Sequence, residues 1–228
     1  MAKIAQGPFG QFVGKAAGLV GQVYLGKNII KAYQPKVYNP NTDMQKKARN
    51  RFKYLTGLWK LFRQPATFGL RHMRSNVGLN PFNLFTKINS PAVEFITDDW
   101  SIDFANVQLS MGDLPAITST HTPSSDDPNS IHVTWVNPDR ENLPDSATLT
   151  LVFIDQEGEE EIPGSGCEMF NTNVSSSSYD VDFRFDHTGH TIHVYGICSN
   201  NMNGEGWPIG STYIRRSPTF YFGKVTVS

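Results

Sequence analysis

An amphipathic helix pattern between Asn39 and Arg63 constrains the fold of this chain more than any other stretch. Apolar residues recur there at steps of three and four, the spacing of one helical face: Met44, Ala48, Phe52, Leu55, Trp59 and Phe62. Thr42 followed by Gln45 fits a capping box at the start of the helix. An apolar stripe of this length is rarely exposed on a soluble monomer. We therefore expect four of these side chains to lie in a core or an assembly contact: Phe52, Leu55, Trp59 and Phe62.

The opposite face of the same helix is basic. Five cations follow one another closely at its start: Lys46, Lys47, Arg49, Arg51 and Lys53. Such residues bind phosphates, and interleaved aromatic rings stack on bases. Trp59 falls on the apolar face, where a core position is favoured over stacking. The sequence therefore indicates a candidate polyanion contact that does not read base sequence.

Charge is distributed very unevenly along the chain. Residues 1–75 hold 14 of the 20 Lys and Arg and a single acid, a balance of +13. Residues 76–228 hold the other six bases and 20 acids, a balance of −14. This split favours a polyanion partner for the first part or head-to-tail contact between copies, while neutralisation within one molecule is the simpler alternative.

Residues 1–38 have the composition of a glycine-rich arm followed by a β-hairpin. Val20–Leu25 and Ile29–Tyr33 are short β-prone runs, and Gly26–Asn28 supplies turn residues between them. One hairpin with a short arm is not stable alone in water. We expect this segment to pack on the rest of the chain or on another subunit.

Residues 39–90 form a predicted basic helical region. Pro65 is expected to end the first helix, because proline lacks the amide hydrogen that the helix needs. A second basic helix is predicted over Ala66–Ser75, and a shorter one over Asn80–Ile88.

From residue 91 onwards the hydrophobic pattern changes to a period of two, with frequent turn residues. Six strands are predicted: Phe104–Leu109, Ile131–Val136, Ala147–Ile154, Tyr179–Phe185, His190–Cys198 and Thr219–Val227. Short alternating strands at this spacing favour an antiparallel β-sandwich over residues 91–228. The predicted class is therefore α+β.

Two resemblances add to this interpretation. Residues 131–138, 147–154, 194–195 and 203–208 resemble a fibronectin type III-like or Ig-like domain, with Trp135 on its second strand and an Asn-Gly turn after its sixth. Residues 7–63 are similar to a family of uncharacterised proteins from Bacteroidota and their phages, through the glycine-rich start, Tyr33-Gln-Pro35 and the Asn39–Thr42 helix start. That second resemblance implies a protein of Bacteroidota or their phages, and it implies no activity.

Candidate chemical sites were weighed against simpler alternatives. Asp186, His187, His190 and His193 have metal-ligand chemistry, but a solvated turn between two strands is favoured. The acidic run Glu157–Glu161 lacks the alternating ligands of a calcium loop and is predicted to be a charged hairpin tip. The sequence contains no nucleophile elbow, phosphate loop or dinucleotide fingerprint. We therefore predict no enzymatic activity, no cofactor and no metal.

The sequence predicts a virion protein that is made in the reducing bacterial cytoplasm. Neither a secretory signal nor an apolar run of spanning length is present, which predicts synthesis in the bacterial cytoplasm and no membrane partner. Cys167 and Cys198 are expected to be free thiols.

Three functional hypotheses follow from these patterns. The first is a non-enzymatic structural subunit of a phage virion. It assembles with its own copies or other structural subunits through the N-terminal arm and helix, and it displays the sandwich. The second is a nucleic-acid-binding protein that uses the basic region. The third is an adhesive module that uses Trp207, Tyr213 and the Asn200–Gly206 loop.

Overall fold

The amphipathic stretch forms one long helix, α1 (Asp43–Leu70). The computed structural model in which it lies describes residues 2–4, 13–24, 27–36, 39–70, 80–96, 99–119, 123–125, 130–156, 167–183, 187–202 and 213–227. At the helix start the Thr42 hydroxyl accepts a hydrogen bond from the Gln45 amide at 3.4 Å. The side-chain oxygen of Gln45 is buried and has no hydrogen-bond partner among the described residues, where only half of the predicted capping box forms.

The prediction that Pro65 ends this helix and that a new one starts at Ala66 is wrong, because α1 continues to Leu70. A proline in a helix interior costs about 3 kcal/mol. Phe62 and Leu70, on either side of it, are fully buried, and burial of each such side chain contributes about 1.5–3 kcal/mol. Packing on both sides of Pro65 therefore outweighs the missing hydrogen bond.

Residues 1–46 make one compact unit. Its four strands are β1 (Ala2–Ile4), β2 (Gly14–Ala16), β3 (Leu19–Tyr24) and β4 (Lys27–Ala32), in the antiparallel order β1-β4-β3-β2. The predicted hairpin is confirmed as β3 and β4, although Lys27 and Asn28 belong to the strand instead of the turn. The predicted extended arm instead contributes β1 and β2, which pair with the two sides of that hairpin.

Residues 47–228 make the second compact unit. Besides most of α1 it contains the helix α2 (Pro81–Asn89), which begins where the Asn80 side chain accepts from the Asn83 amide at 2.7 Å. Its strands are β5 (Val93–Ile96), β6 (Asp99–Ile102), β7 (Thr118–Ser119), β8 (Ser130–Val136), β9 (Thr148–Gln156), β10 (Cys167–Asn173), β11 (Ser178–Asp182), β12 (Thr191–Met202), β13 (Tyr213–Arg216) and β14 (Phe220–Thr226). Short 3-10 turns cover Phe104–Asn106 and Val174–Ser176. Neither α-helix among the described residues combines the length and hydropathy that a membrane crossing needs.

These strands form a central sheet and two smaller ones. The central sheet has the order β10-β9-β12-β13, and β14 also pairs with β12. A three-stranded sheet has the order β11-β8-β7, and β5 pairs with β6. All of these pairs are antiparallel. The described chain is thus a mixture of helix and antiparallel sheet in which strands predominate.

The central sheet is buried on both faces. One face shares the inner core with the three-stranded sheet, and its members include Leu149, Leu151, Phe153, Ile131, Val133 and Trp135. The other face shares the helix core with α1 and α2, and its members include Val152, Ile154, Tyr195, Ile197, Phe62 and Phe85. Residues 39–90 and 91–228, predicted as separate regions, therefore contribute to a common core.

Five predicted strands are confirmed as β8, β9, β11, β12 and β14, with shifted ends. The prediction of a strand at Phe104–Leu109 is wrong, because this segment is a 3-10 turn followed by irregular chain. Val107 and Leu109 are buried alternately as predicted. The Gln108 amide, however, bonds to the Asn89 side chain at 2.6 Å and the Leu109 amide to Thr219 at 2.7 Å. Side chains thus take the hydrogen bonds that a neighbouring strand would have taken. β5, β6, β7, β10 and β13 were missed.

Candidate functional site

The register of the N-terminal sheet sorts its residues onto two chemically different faces. Directly opposed residues of an antiparallel pair lie on the same face. The apolar sheet face contains Gly14, Ala16, Leu19, Gly21, Val23, Asn28, Ile30 and Ala32. The lysine sheet face contains Lys15, Val20, Gln22, Lys27, Ile29 and Lys31. None of the eight described residues of the apolar sheet face carries a charge.

The apolar sheet face is exposed at Leu19 and Val23 in the single chain, while Gly21 and Asn28 on the same face are buried. Leu19 is 45% exposed and Val23 37%. Among residues of 1–46 whose burial is described, only Gly21 and Asn28 are buried, and neither the inner core nor the helix core contains a residue of this unit. The sheet therefore presents uncharged, apolar surface.

The predicted core residues of α1 fall into three environments. Leu55 and Phe62 are buried in the helix core. Trp59 is half-buried, with its ring 5.7 Å from that of Phe82 and 5.4 Å from that of Phe85. Phe52 is 52% exposed and touches Phe82 only by an edge contact. The predicted stripe is therefore buried in its second half, while Met44, Ala48 and Phe52 are exposed.

The five cations predicted to contact a polyanion differ in their partners and in their exposure. Lys46 pairs with Asp43 at 3.1 Å, and the Lys47 ammonium lies 4.5 Å from the ring centre of Phe95. Arg51 donates to the Ser90 carbonyl and is half-buried, so it serves the fold. Arg49 and Lys53 are exposed.

A groove of about 420 Å³ adds two cations to this basic surface. It is lined by Lys60, Leu61, Arg63, Gln64, Thr67 and Cys167.

The two cysteine thiols have raised pKa values. Burial, with a smaller effect of Glu168, raises the pKa of the Cys167 thiol to about 12, and burial raises the pKa of the Cys198 thiol to about 12. Both cysteines are free, as predicted. They remain protonated at neutral pH and are therefore poor nucleophiles.

His193 separates from the other predicted histidines. It lies on the helix-core side of β12, where its ring stacks on Phe104 at 4.2 Å. Its nitrogens meet the Tyr221 hydroxyl at 2.8 Å and the Gln156 side-chain oxygen at 3.0 Å. Burial, reinforced by the nearby Lys224, lowers the pKa of His193 to about 4. His193 is therefore neutral at physiological pH, and its two hydrogen bonds link β12 to β9 and to β14.

His187 and His190 do form a turn before β12, and Thr188 and Gly189 between them are exposed, as predicted, but the two imidazoles are not solvated side chains. Both residues are half-buried, and the Nδ1 atom of each faces the carboxylate of Asp155. Sequence reasoning missed Asp155, which lies 32 residues before His187. One signal was available: Asp155 follows Leu149, Leu151 and Phe153 in the inward series of β9, where a carboxylate needs a partner.

Other predicted positions lie outside the described residues. These are Asp186, the acidic run at 157–161, residues 71–75 of the predicted second helix, residues 203–206 of the candidate adhesive loop, and Trp207. The backbone of Tyr213 lies in β13.

Comparison with known proteins gives a distant structural likeness. No family model matches the sequence, and no curated protein matches it. A similar solved structure is that of the fn3 domain of human collagen alpha-1(XX) chain, with 16% sequence identity and a TM-score of 0.27. The match covers 52% of this chain and 85% of that domain. It is too distant to carry a functional inference, and the resemblance to Bacteroidota and phage proteins stays a prediction.

Proposed function

We propose that this protein is a non-enzymatic structural subunit whose N-terminal sheet assembles with a second copy of the chain. The observation that supports this most directly is the apolar sheet face, which is uncharged and holds the exposed side chains of Leu19 and Val23. The described residues of this 46-residue unit belong to neither hydrophobic core, so their burial contributes little to its stability. A partner that covers the face would supply the missing burial.

A second copy fits this face better than an unrelated protein. An uncharged apolar face is complementary to itself across a two-fold axis, so the apolar sheet faces of two copies can pack together. The lysine sheet faces then remain outside, where the acidic residues 76–228 of further copies, with a balance of −14, are electrostatically complementary. The chain itself therefore supplies both an apolar and an ionic contact.

The setting we propose is a phage virion, favoured by the resemblance of residues 7–63. We further propose that residues 91–228 form a fibronectin type III-like sandwich that is displayed by the assembly. The β11-β8-β7 sheet opposite β10-β9-β12-β14, with Trp135 buried between them, supports this classification.

The test is the mass of the protein in solution, measured by light scattering over a range of concentrations. We expect a dimer or larger species that persists at high salt, because apolar contacts are not screened. Val23→Lys together with Leu19→Lys places charge on the apolar sheet face and should give a monomer. Gln22→Lys adds a charge to the opposite face and should leave the mass unchanged.

Three outcomes count against the proposal. A monomer at every concentration removes self-assembly. Equal effects of the two charged variants show that the apolar sheet face is not the contact. Dissociation by salt alone replaces the apolar contact with a head-to-tail ionic one.

Nucleic-acid binding is the second candidate, favoured by the exposed Lys47, Arg49 and Lys53 and by Lys60 and Arg63 at the groove. Fluorescence anisotropy with single-stranded and duplex DNA tests it. Binding through five phosphates should weaken by more than about 100-fold between 50 and 200 mM salt for duplex DNA. The Lys47, Arg49 and Lys53 triple alanine variant should lose most of it, whereas Arg140→Ala, an exposed control, should not. No complex at low salt removes this candidate.

A further inference from the structure

We propose that Asp155, His187 and His190 form a zinc-binding site with one coordination position open to solvent. The site is independent of the assembly contact, since all three residues belong to the unit of residues 47–228. Their potential ligand atoms all lie within 4.8 Å of one another.

The backbone holds these side chains in fixed places. Asp155 lies near the end of β9, opposite Ile192 of β12. The His187–His190 turn is closed by a hydrogen bond from the His190 amide to the His187 carbonyl at 2.9 Å. Gly189 provides the positive φ of +82° that the turn requires. Its amide donates to the Val227 carbonyl at 2.8 Å, which ties the turn to the chain after β14.

The distances suit a small divalent ion. The Asp155 carboxylate lies 3.1 Å from Nδ1 of His187 and 2.9 Å from Nδ1 of His190. Ligand atoms around tetrahedral zinc, with bonds near 2.0–2.1 Å, are about 3.3 Å apart. The two carboxylate–imidazole distances are within a few tenths of an ångström of that value, and the two imidazole nitrogens lie within 4.8 Å of each other. On binding, each Nδ1 offers its lone pair, and the ring proton resides on Nε2.

The ligand chemistry favours zinc over hard cations. Two imidazoles and one carboxylate suit zinc and its transition-metal neighbours, whereas magnesium and calcium prefer oxygen ligands alone. The carboxylate is also costly to bury without compensation, and only 8% of the Asp155 side chain is exposed. A zinc ion bound by the carboxylate compensates that charge directly.

Access and affinity follow from the surroundings. The His190 side chain is 27% exposed, and Thr188 and Gly189 beside it are exposed, so solvent reaches the His190 side of the site. The Nε2 atom of His187 is buried without a hydrogen-bond partner among the described residues. A ligand imidazole without such a partner typically loses about 10–100-fold in affinity. We therefore expect binding weaker than in a closed four-ligand site.

The experiment uses the full chain, freed of metal with EDTA and titrated with zinc chloride by calorimetry. We expect one zinc per chain. Zinc at about one hundred times the dissociation constant should raise the melting temperature by about 5–10 °C. Cobalt(II) should give the intense visible bands of a four-coordinate site.

His190→Ala should abolish the stoichiometric binding and the melting shift. Circular dichroism without metal checks that the His190→Ala protein folds. Asp155→Asn should likewise lose the stoichiometric zinc binding and the melting shift. His132→Ala is the matched control, because His132 also contacts one carboxylate, Asp180, but is more exposed and has no second histidine beside it among the described residues. Absence of stoichiometric zinc, or an equal melting shift in wild type and His190→Ala, overturns the site and leaves a hydrogen-bonded Asp–His cluster.

Discussion

The two units of this chain use the same alternating strand pattern with opposite results. In β9 the alternate side chains enter two different cores, so every residue from Leu149 to Asp155 is buried. In β3 the alternate residues Leu19 and Val23 lie on one uncharged face, yet both remain exposed. The difference teaches that strand patterning determines which face is apolar, while other elements determine whether that face is covered.

The largest expected effect sharpens this comparison within one helix. Phe62 is fully buried against Phe85 and Tyr195, so Phe62→Ala should lower the free energy of unfolding by about 3–5 kcal/mol. Trp59→Ala, at a half-buried position, should lower the free energy of unfolding by a smaller amount that is still clearly measurable. Phe52→Ala, at an exposed position, should cost less than about 1 kcal/mol. Urea unfolding followed by circular dichroism gives these values. Equal losses at Phe52 and Phe62 would show that the exposed half of the stripe is buried in solution.

The next effect concerns pH and the helix-core side of β12. His193 has a pKa of about 4 in the folded protein against 6.5 as its ordinary value. As pH falls below 6.5 the unfolded chain therefore binds a proton first, and the folded state loses up to about 3 kcal/mol by pH 4. Stability above pH 6.5 is unaffected by this group. Urea unfolding from pH 7 to pH 4 should show a smaller decline for His193→Gln than for wild type. Parallel declines would mean that His193 is accessible to protons.

A smaller effect is expected where α1 passes closest to the following chain. A Cβ atom at Gly69 would lie 2.3 Å from the Leu109 carbonyl oxygen. Gly69→Ala should therefore cost about 1–3 kcal/mol, although alanine is the better helix former. Thr67→Ala, at an exposed position of the same turn, should stay within about 0.5 kcal/mol of wild type. A Gly69→Ala protein as stable as wild type would show that this crossing is looser than described.

The smallest effect is expected on the apolar sheet face. Leu19→Ser with Val23→Ser should change the melting temperature little in dilute protein, because both side chains are exposed there. At high concentration the wild type should melt later than the variant, since assembly stabilises the folded state. Lys46→Ala with Lys47→Ala should leave both melting and assembly unchanged. A variant that melts early even when dilute would mean that the single chain already covers this face.

Much of the secondary structure was predictable because periodicity reports burial directly. The helix through Leu55 and Phe62, the β3–β4 hairpin and the strand at Ile131–Val136 all follow from this signal. The continuation of α1 past Pro65 did not, because it depends on packing beyond the helix. The strand predicted at Phe104–Leu109 failed for a related reason, since alternation shows which side chains are buried and not which groups pair with the backbone.

The candidate sites were less predictable than the fold. His187 and His190 were noticed, but Asp155 reaches them only through the pairing of β9 with β12. The apolar sheet face likewise appears only once the register of β2, β3 and β4 is known. Both depend on which strands are neighbours, and sequence spacing carries little of that information.

The position of β9 and β12 at the middle of the central sheet has a consequence for hydrogen exchange. Each strand has neighbours on both edges, and the sheet is covered on both faces. Their amide hydrogens can meet solvent only when much of the surrounding unit opens, so their exchange reports the global free energy of unfolding. The amides of β2 and β3, in a sheet with exposed residues on one face, should exchange through local openings that need less free energy than global unfolding. Deuterium uptake would thus rank the regions of this protein by the energy needed to expose them.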